Sequence, residues 1–102
     1  MAARSSLAAL AAVRKRIDRL DEQLLRALNQ RARLALEIGR IKKRRKWPVY
    51  DETREASVLR HVTRANGGPL SARAIAHIFH AVLCECRRRE RSPRKASIVH
   101  SP

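Results

Sequence analysis

The sequence predicts an all-α fold of three helices, the first of them very long. Gly and Pro are scarce, with three and four residues, whereas Ala, Leu and Arg are abundant. Apolar residues recur every three or four positions, and turn residues interrupt that period at only two places before residue 92, around Pro48 and at 66–69. With 102 residues, the chain is long enough for one domain with a modest core.

The first helix is predicted to run from about Leu7 to Lys46, with Ser5 or Ser6 as its N-cap. Each residue advances about 100° around a helix axis, and the apolar side chains then share a face roughly 80° wide. This apolar stripe consists of Leu10, Val13, Ile17, Leu20, Leu24, Leu28, Ala35 and Ile38. The helix is expected to weaken through the basic run 42–46, which is a candidate mobile loop, and Pro48 ends it.

The length of this helix predicts a homodimer. A helix of about 36 residues is about 54 Å long, whereas a compact domain of this size has a radius of gyration of about 13 Å. One chain cannot cover such a helix. The apolar stripe therefore implies a partner helix, most simply from a second copy of the same chain.

Two shorter helices complete a helical domain over residues 1–91. Asp51 is the predicted N-cap of the second helix, about Glu52 to Ala65, and Ser71 that of the third, about Ala72 to Arg91. Their apolar lines are Val58, Leu59 and Val62 in the second helix, and Ile75, Ile78, Phe79, Val82 and Cys86 in the third. Residues 92–102 form a basic C-terminal tail that we expect to be disordered.

Charged side chains interrupt the apolar faces of all three helices. They are Arg14, Arg31, Lys42, Asp51, Arg54, Glu55 and Glu90. Arg31 and Lys42 are separated by about 16 Å along one helix face, so their side chains can hold opposite ends of a ligand about 10 Å across. Arg14 is about 25 Å from Arg31 on the same helix, but an antiparallel partner would bring its own Arg14 close. The pattern predicts a composite site for a small dianion, because guanidinium groups pair bidentately with carboxylates.

The alternative for these inward cations is structural pairing with Asp21, Asp51 or Glu55. Seven inward charges on different helices favour a binding site over isolated structural pairs. The sequence has no nucleophile–base pattern and no metal-ligand spacing, so we expect neither a metal nor a cofactor. A reaction at this site would rely on electrostatic preorganisation and on folding of the substrate.

The net charge of +15 calls for anionic partners. A basic nucleic-acid-binding helical module is one alternative, but the few aromatic residues offer no stacking surface, and we expect no specific nucleic-acid partner. No apolar run approaches the roughly 20 residues of a membrane helix. Two cysteines two positions apart suit a reduced cytoplasmic setting. The Ala-rich start is weakly similar to a targeting peptide but continues the helical period.

Five segments resemble the all-α chorismate mutases. They are Arg14-Lys-Arg-Ile-Asp-Arg-Leu-Asp21, Leu28-Asn-Gln-Arg31, Ile38-Gly-Arg-Ile-Lys42, Val49-Tyr-Asp-Glu-Thr-Arg-Glu55 and Gly68-Pro-Leu-Ser71. Their order and spacing match over residues 7–91. The segments resemble in particular the N-terminal mutase domains of bifunctional chorismate mutase–prephenate dehydratases, whose dehydratase domain has no counterpart in this sequence.

The resemblance implies an intertwined homodimer that rearranges chorismate to prephenate in phenylalanine and tyrosine biosynthesis, without a cofactor or a covalent intermediate. Arg31 and the partner chain's Arg14 would hold the two carboxylates, and Lys42 would contact a carboxylate and the ether oxygen. Glu55 would accept a hydrogen bond from the ring hydroxyl, assisted by the backbone near Asp51. Arg54 would line the pocket and support Glu55.

Two positions depart from the best-known pattern of this family. Cys86 replaces a serine, and Glu90 replaces a glutamine that donates a hydrogen bond to the ether oxygen. A carboxylate only accepts hydrogen bonds, so Glu90 must be protonated to donate. We therefore predict higher activity toward acidic pH.

Two alternatives remain within the family's fold. An isochorismate-pyruvate lyase-like enzyme would share the Arg–Arg–Lys frame, but it lacks the Asp-x-x-Arg-Glu segment that Asp51, Arg54 and Glu55 supply here. A regulatory or inactive mutase-like dimer is the other alternative, kept open by Cys86 and Glu90.

Overall fold

The structure is a computed structural model that describes residues 2–92, and in that range the chain forms three α-helices and no strand. Helix α1 spans Ala2–Arg45, α2 spans Glu52–Ala65 and α3 spans Ala72–Arg91. The predicted all-α fold of three helices is confirmed. None of these helices combines the length and the apolar composition needed to cross a membrane. The expected disordered tail lies outside the described residues, except for Ser92.

Helix α1 extends beyond its predicted limits at one end and stops short at the other. Ser5 and Ser6 lie inside the helix, so the predicted N-cap is wrong. Ala2, Ala3 and Arg4 precede the serines and are strong helix formers, which favours the earlier start. Lys42, Lys43, Arg44 and Arg45 form the last turn of α1. The prediction of a loop is therefore wrong for these four residues.

The end of α1 is fixed by a Schellman motif rather than by Pro48 alone. The Trp47 amide donates to the Lys42 carbonyl at 2.9 Å, and the Lys46 amide donates to the Lys43 carbonyl at 3.3 Å. Lys46 takes the left-handed conformation of this motif, with φ of 57°. The motif reverses the chain within one turn of Lys42.

Helices α2 and α3 have their predicted limits and N-caps. The Asp51 carboxylate accepts a hydrogen bond from the Arg54 amide at 3.0 Å, and the Ser71 hydroxyl accepts from the Ala74 amide at 3.1 Å. Between the helices, the Asn66 side chain accepts from the Gly68 amide at 3.0 Å and donates to the Leu70 carbonyl at 2.7 Å. The φ of +80° at Gly68 requires a residue without a Cβ. These bonds close the turn predicted at 66–69.

The chain divides into two compact units, Met1–Gln30 and Arg31–Pro102, and α1 contributes to both. The described part of the first unit is a single stretch of helix. Its apolar stripe is exposed, from 39% at Leu28 to 61% at Leu20. An exposed apolar line of this extent is typical of an interaction surface. The homodimer inferred from it remains a prediction.

The second unit contains the core. Its buried apolar side chains are Ala35 of α1, Val58 of α2, and Leu83 and Cys86 of α3. The stripe predicted for α3 is partly wrong, because Ile78 is 45% exposed and Leu83 takes its place in the core.

The closest backbone approach in this unit involves Gly39, which is buried. A Cβ at Gly39 would lie 2.7 Å from the Cα of Glu90 and closer still to its carbonyl oxygen. Only glycine fits such a contact. The glycine therefore brings α1 and the end of α3 together, which positions two of the predicted site residues, Lys42 and Glu90.

Candidate active site

A cleft of about 430 Å³ lies in the second unit, between the C-terminal part of α1, α2 and α3. A cleft of this size suits a small molecule. Apolar side chains form one part of its wall: Leu34, Ala35, Ile38, Val49, Val58 and Leu83. The remaining lining residues are Arg31, Lys42, Asp51, Arg54, Glu55, Cys86 and Glu90. Seven of the eight predicted site residues are thus brought to one cleft.

Lys42 is held in place by two acceptors. Its Nζ lies 2.7 Å from Oε1 of Glu90 and 2.6 Å from the carbonyl oxygen of Val49. The Lys42 and Glu90 side chains are 17% and 16% exposed, so water screens this ion pair only partly. A lysine ammonium has three N–H groups. Two are engaged here, and the third is left for a ligand in the cleft.

Glu55 is held by a cation that the sequence analysis did not predict. Arg87 of α3 donates from Nε to Oε2 of Glu55 at 2.8 Å, and from Nη2 to Oε1 at 2.7 Å. This is a bidentate pair, with side chains 21% and 19% exposed. The same guanidinium lies over the Tyr50 ring, with its Cζ 4.7 Å from the centre of the ring. The cation that pairs with Glu55 in the structure is therefore Arg87, and the predicted support by Arg54 stays a prediction.

The Glu55 pair has an electrostatic consequence at Arg87. The hydrogen bond to Glu55 raises the pKa of Arg87 above its ordinary value, against the opposing effect of burial. Because its pKa is raised, Arg87 keeps its stabilising positive charge at every pH below the ordinary pKa of arginine and loses the charge only at a pH above that value. Arg87 therefore carries its charge over the whole pH range in which an assay is practical.

Arg31 and Arg54 are the guanidinium groups of the cleft that have no carboxylate partner within residues 2–92. Arg31 is half-buried on α1, and Arg54 is exposed on the first turn of α2. Asp51 lines the cleft, but its carboxylate caps α2. Two unpaired guanidinium groups give the cleft an attraction for a ligand with two negative groups.

Cys86 is a buried free thiol in the cleft wall, 6% exposed. Cys84 is also free, and its sulfur lies 3.7 Å from Nε2 of His80. Within residues 2–92, no group of His, Cys, Asp and Glu side chains is arranged to hold a metal ion. The cleft thus offers hydrogen bonds and fixed charges to a ligand.

Arg14 is the predicted site residue that the cleft does not contain. It lies in the first unit, on an exposed part of α1. Its role across a dimer remains a prediction. The structural alternative of the sequence analysis named Asp21, Asp51 and Glu55 as partners of the inward cations, but Lys42 pairs with Glu90 instead.

The sequence analysis missed Arg87, Tyr50, Gly39 and the carbonyl of Val49. A signal existed for Arg87, because it follows the core residue Leu83 by four positions and therefore shares its helix face. The glycine also had a signal, since Gly39 lies in the middle of a helix where it weakens the helical propensity. A backbone carbonyl carries no such signal.

Comparison with known proteins agrees with this fold. A family model described as chorismate mutase type II matches residues 13–91. The chain belongs to this family. The solved structure of chorismate mutase form II from Thermus thermophilus superposes with a TM-score of 0.80 and 34% identity, over 81% of this chain and 94% of that one.

The curated relatives are longer proteins. The bifunctional chorismate mutase/prephenate dehydratase of Aquifex aeolicus is 38% identical over 78 residues, and that of Stutzerimonas stutzeri is 40% identical over 83 residues. These alignments cover 72% and 76% of this chain. The aligned region spans 22% of the length of each relative.

Proposed function

We propose that this protein is a chorismate mutase, an enzyme that rearranges chorismate to prephenate. In this reaction the ether C–O bond of the substrate breaks while a new C–C bond forms in the same molecule. No atom is gained or lost, and no redox partner is needed. The observation that supports the proposal is the cleft of the second unit, which brings Arg31, Lys42 and Glu55 together in a chain of this family.

The cations of the cleft suit the two carboxylates of such a substrate. In this proposal, Arg31 binds one carboxylate, and Arg14 of a partner chain binds the other. Arg54 lines the entrance and adds to the attraction. The remaining N–H of Lys42 reaches the ether oxygen and stabilises negative charge as the C–O bond breaks. Since Glu90 and Val49 fix the ammonium group, Lys42 needs little reorganisation to act.

Glu55 is the proposed acceptor for the ring hydroxyl of the substrate, together with the backbone near Asp51. Each carboxylate oxygen has more than one lone pair. Glu55 can therefore accept a hydrogen bond from the hydroxyl group while Arg87 remains bound.

Glu90 is proposed to act as a neutral acid that donates to the ether oxygen. In the structure its Oε1 accepts from Lys42. Protonation at Oε2 would supply an O–H donor and would leave Oε1 as the acceptor that holds Lys42. The consequence is an activity that increases toward acidic pH.

The proposal also includes the homodimer. A partner chain would cover the exposed stripe of the first unit and would supply its Arg14 as a further cation for the substrate. The cytoplasmic setting and the place in phenylalanine and tyrosine biosynthesis belong to the same proposal. The free thiols Cys84 and Cys86 are consistent with that compartment.

Among the alternatives, the isochorismate-pyruvate lyase-like enzyme has less support than the mutase. Asp51, Arg54 and Glu55 all line the cleft, and this is the segment that the lyase would lack. No feature of residues 2–92 beyond the charge favours the nucleic-acid-binding module.

The experiment is an assay of chorismate consumption by its absorbance, on the wild type, Arg31→Ala and Arg33→Ala. We expect turnover in the wild type and a loss of roughly 10²–10³-fold in kcat/KM for Arg31→Ala. Arg33 is an exposed arginine two residues away that does not line the cleft, so Arg33→Ala should retain wild-type activity. A wild type without turnover would refute the proposed function, and full activity in Arg31→Ala would refute the site.

A further inference from the structure

Arg87 and Tyr50 form a support for Glu55 that lies outside the lining of the cleft. Three groups follow one another: the Tyr50 ring lies against the Arg87 guanidinium, and this guanidinium donates two hydrogen bonds to the Glu55 carboxylate. Each contact is short, at 4.7 Å from ring centre to guanidinium and at 2.7 and 2.8 Å for the two hydrogen bonds. We propose that Arg87 is a positioning residue, which holds the Glu55 carboxylate oriented toward a hydroxyl group of the substrate. This inference rests on the proposed function.

The geometry of the pair favours a positioning role. Two parallel N–H···O bonds define the plane of the Glu55 carboxylate as well as its location. A single lysine ammonium would leave the carboxylate free to rotate about that contact. Because the pair is about four-fifths removed from water, it is also screened less than a surface pair.

A second arginine on the same helix provides the contrast. Arg88 donates to Glu85 at 3.1 and 3.4 Å from one nitrogen, and both side chains are about two-thirds exposed, at 66% and 67%. Exposed pairs of this type contribute little to stability. Of these two adjacent arginines, Arg87 thus makes an oriented contact and Arg88 makes a loose one.

Tyr50 restricts the guanidinium further. It lies between the end of α1 and the cap of α2, one residue before Asp51. An aromatic face attracts a guanidinium and keeps it flat against the ring. The segment 49–51 therefore contributes to three site groups: the Val49 carbonyl binds Lys42, Tyr50 orients Arg87, and Asp51 begins the helix that carries Glu55.

Arg87 acts through Glu55 in this proposal, so the two residues must be coupled. The test measures kcat/KM for Arg87→Met, Arg87→Lys, Glu55→Gln and the double variant Glu55→Gln/Arg87→Met, with Arg88→Met as the matched control. We expect Arg87→Met to lower kcat/KM by roughly 10–100-fold, the scale of a misplaced binding group. Arg87→Lys keeps the charge and should recover part of that loss. Arg88→Met should behave as the wild type.

The double variant separates positioning from a general loss of structure. If Arg87 acts through Glu55, the Arg87→Met change should lower kcat/KM no further once Glu55 is glutamine. An equal loss in both backgrounds would overturn the positioning role, as would an Arg87→Met variant with wild-type activity. Absence of chorismate turnover in the wild type is a separate result, which would overturn the proposed function and this inference together.

Tyr50 gives a second measurement that stays informative if Arg87→Met does not fold. Tyr50→Leu should lower kcat/KM by several-fold, and Tyr50→Phe, which keeps the ring, should retain more activity than Tyr50→Leu. Equal activity in the two Tyr50 variants would contradict the stacked support. Thermal unfolding of each variant shows that the compared chains are folded.

Discussion

The two units of the chain share one helix but use its apolar face differently. In the first unit, the leucines of α1 are exposed along their whole stripe, and no other element of that unit covers them within the described residues. In the second unit, the same helix contributes Ala35 and Gly39 to a core formed with α2 and α3. The two buried residues of α1, Ala35 and Gly39, are both small, and they allow another helix to approach closely. The stripe of the first unit consists of larger side chains that are exposed in the single chain.

The sharpest test of this difference is a charge placed in the stripe of the first unit. Leu24 lies at the centre of the stripe, and Leu24→Asp would put a carboxylate in the proposed dimer interface. The lost burial alone should destabilise the dimer by about 2–5 kcal/mol for each leucine, and the desolvated charge adds to that. We expect a wild-type dimer and a Leu24→Asp monomer in sedimentation velocity.

Lys15→Asp is the matched control for this variant, because Lys15 lies on the opposite face of the same helix and receives the same new group. It should remain dimeric. A wild type that sediments as a folded monomer at micromolar concentration would contradict the interpretation of the stripe.

The second unit is tested at its closest contact. Gly39→Ala adds a methyl group 2.7 Å from the backbone Cα of Glu90, so α1 and α3 must separate. Overpacking of this kind destabilises by about 1–3 kcal/mol, which exceeds the roughly 1 kcal/mol that alanine gains in helix propensity. Urea unfolding should show a lower midpoint, and kcat/KM should fall because the contact positions Lys42 and Glu90.

Gly67→Ala provides the comparison, since a Cβ there meets nothing within 4 Å. We expect its free energy of unfolding to equal or slightly exceed that of the wild type. A Gly39→Ala variant more stable than the wild type would show that helix propensity outweighs the close contact.

The chemistry of the second unit is tested by pH. With Glu90 as a proton donor, kcat/KM of the wild type should rise as the pH falls from 8 to 5, by about tenfold per pH unit at most while one proton controls activity. Lower pH protonates the carboxylate, so the sign follows directly. Glu90→Gln supplies an amide donor at every pH, and its profile should be flat over the same range. A flat profile in the wild type would exclude the neutral-acid role.

These regions also differ in how far sequence alone could describe them. Periodicity and turn residues predicted all three helices, and side-chain oxygens at Asp51 and Ser71 correctly marked two of the helix starts. Such features are local, so one sequence is sufficient to find them. The start of α1 was missed because Ala2, Ala3 and Arg4 extend the helix past the serines predicted to cap it.

Most of the polar residues that line the cleft could be predicted from the sequence, but the ion pairs between side chains could not. Charges on apolar faces identified most of the polar residues that the structure brings together. Their partners depend on distances between helices, which no spacing along one helix contains. The pairing of Arg87 with Glu55 was therefore not foreseen, and Lys42 pairs with Glu90 rather than with the partners named for the inward cations. The contact at Gly39 bears on one of these distances, that between α1 and the end of α3.

The smallest effect is expected at the end of α1, where the second unit turns toward α2. Lys46 has a Cβ in a left-handed conformation, with φ of 57°. This conformation is unfavourable for an L-residue by about 1–2 kcal/mol, and glycine recovers part of that despite its greater entropy in the unfolded chain. Lys46→Gly should therefore raise the free energy of unfolding by about 0.5–1 kcal/mol, measured by urea denaturation. Lys46→Ala keeps the Cβ and removes the charge, so it should give no such increase. If both variants were stabilised equally, repulsion within the basic run 42–46, rather than backbone strain, would be the dominant cost at this turn.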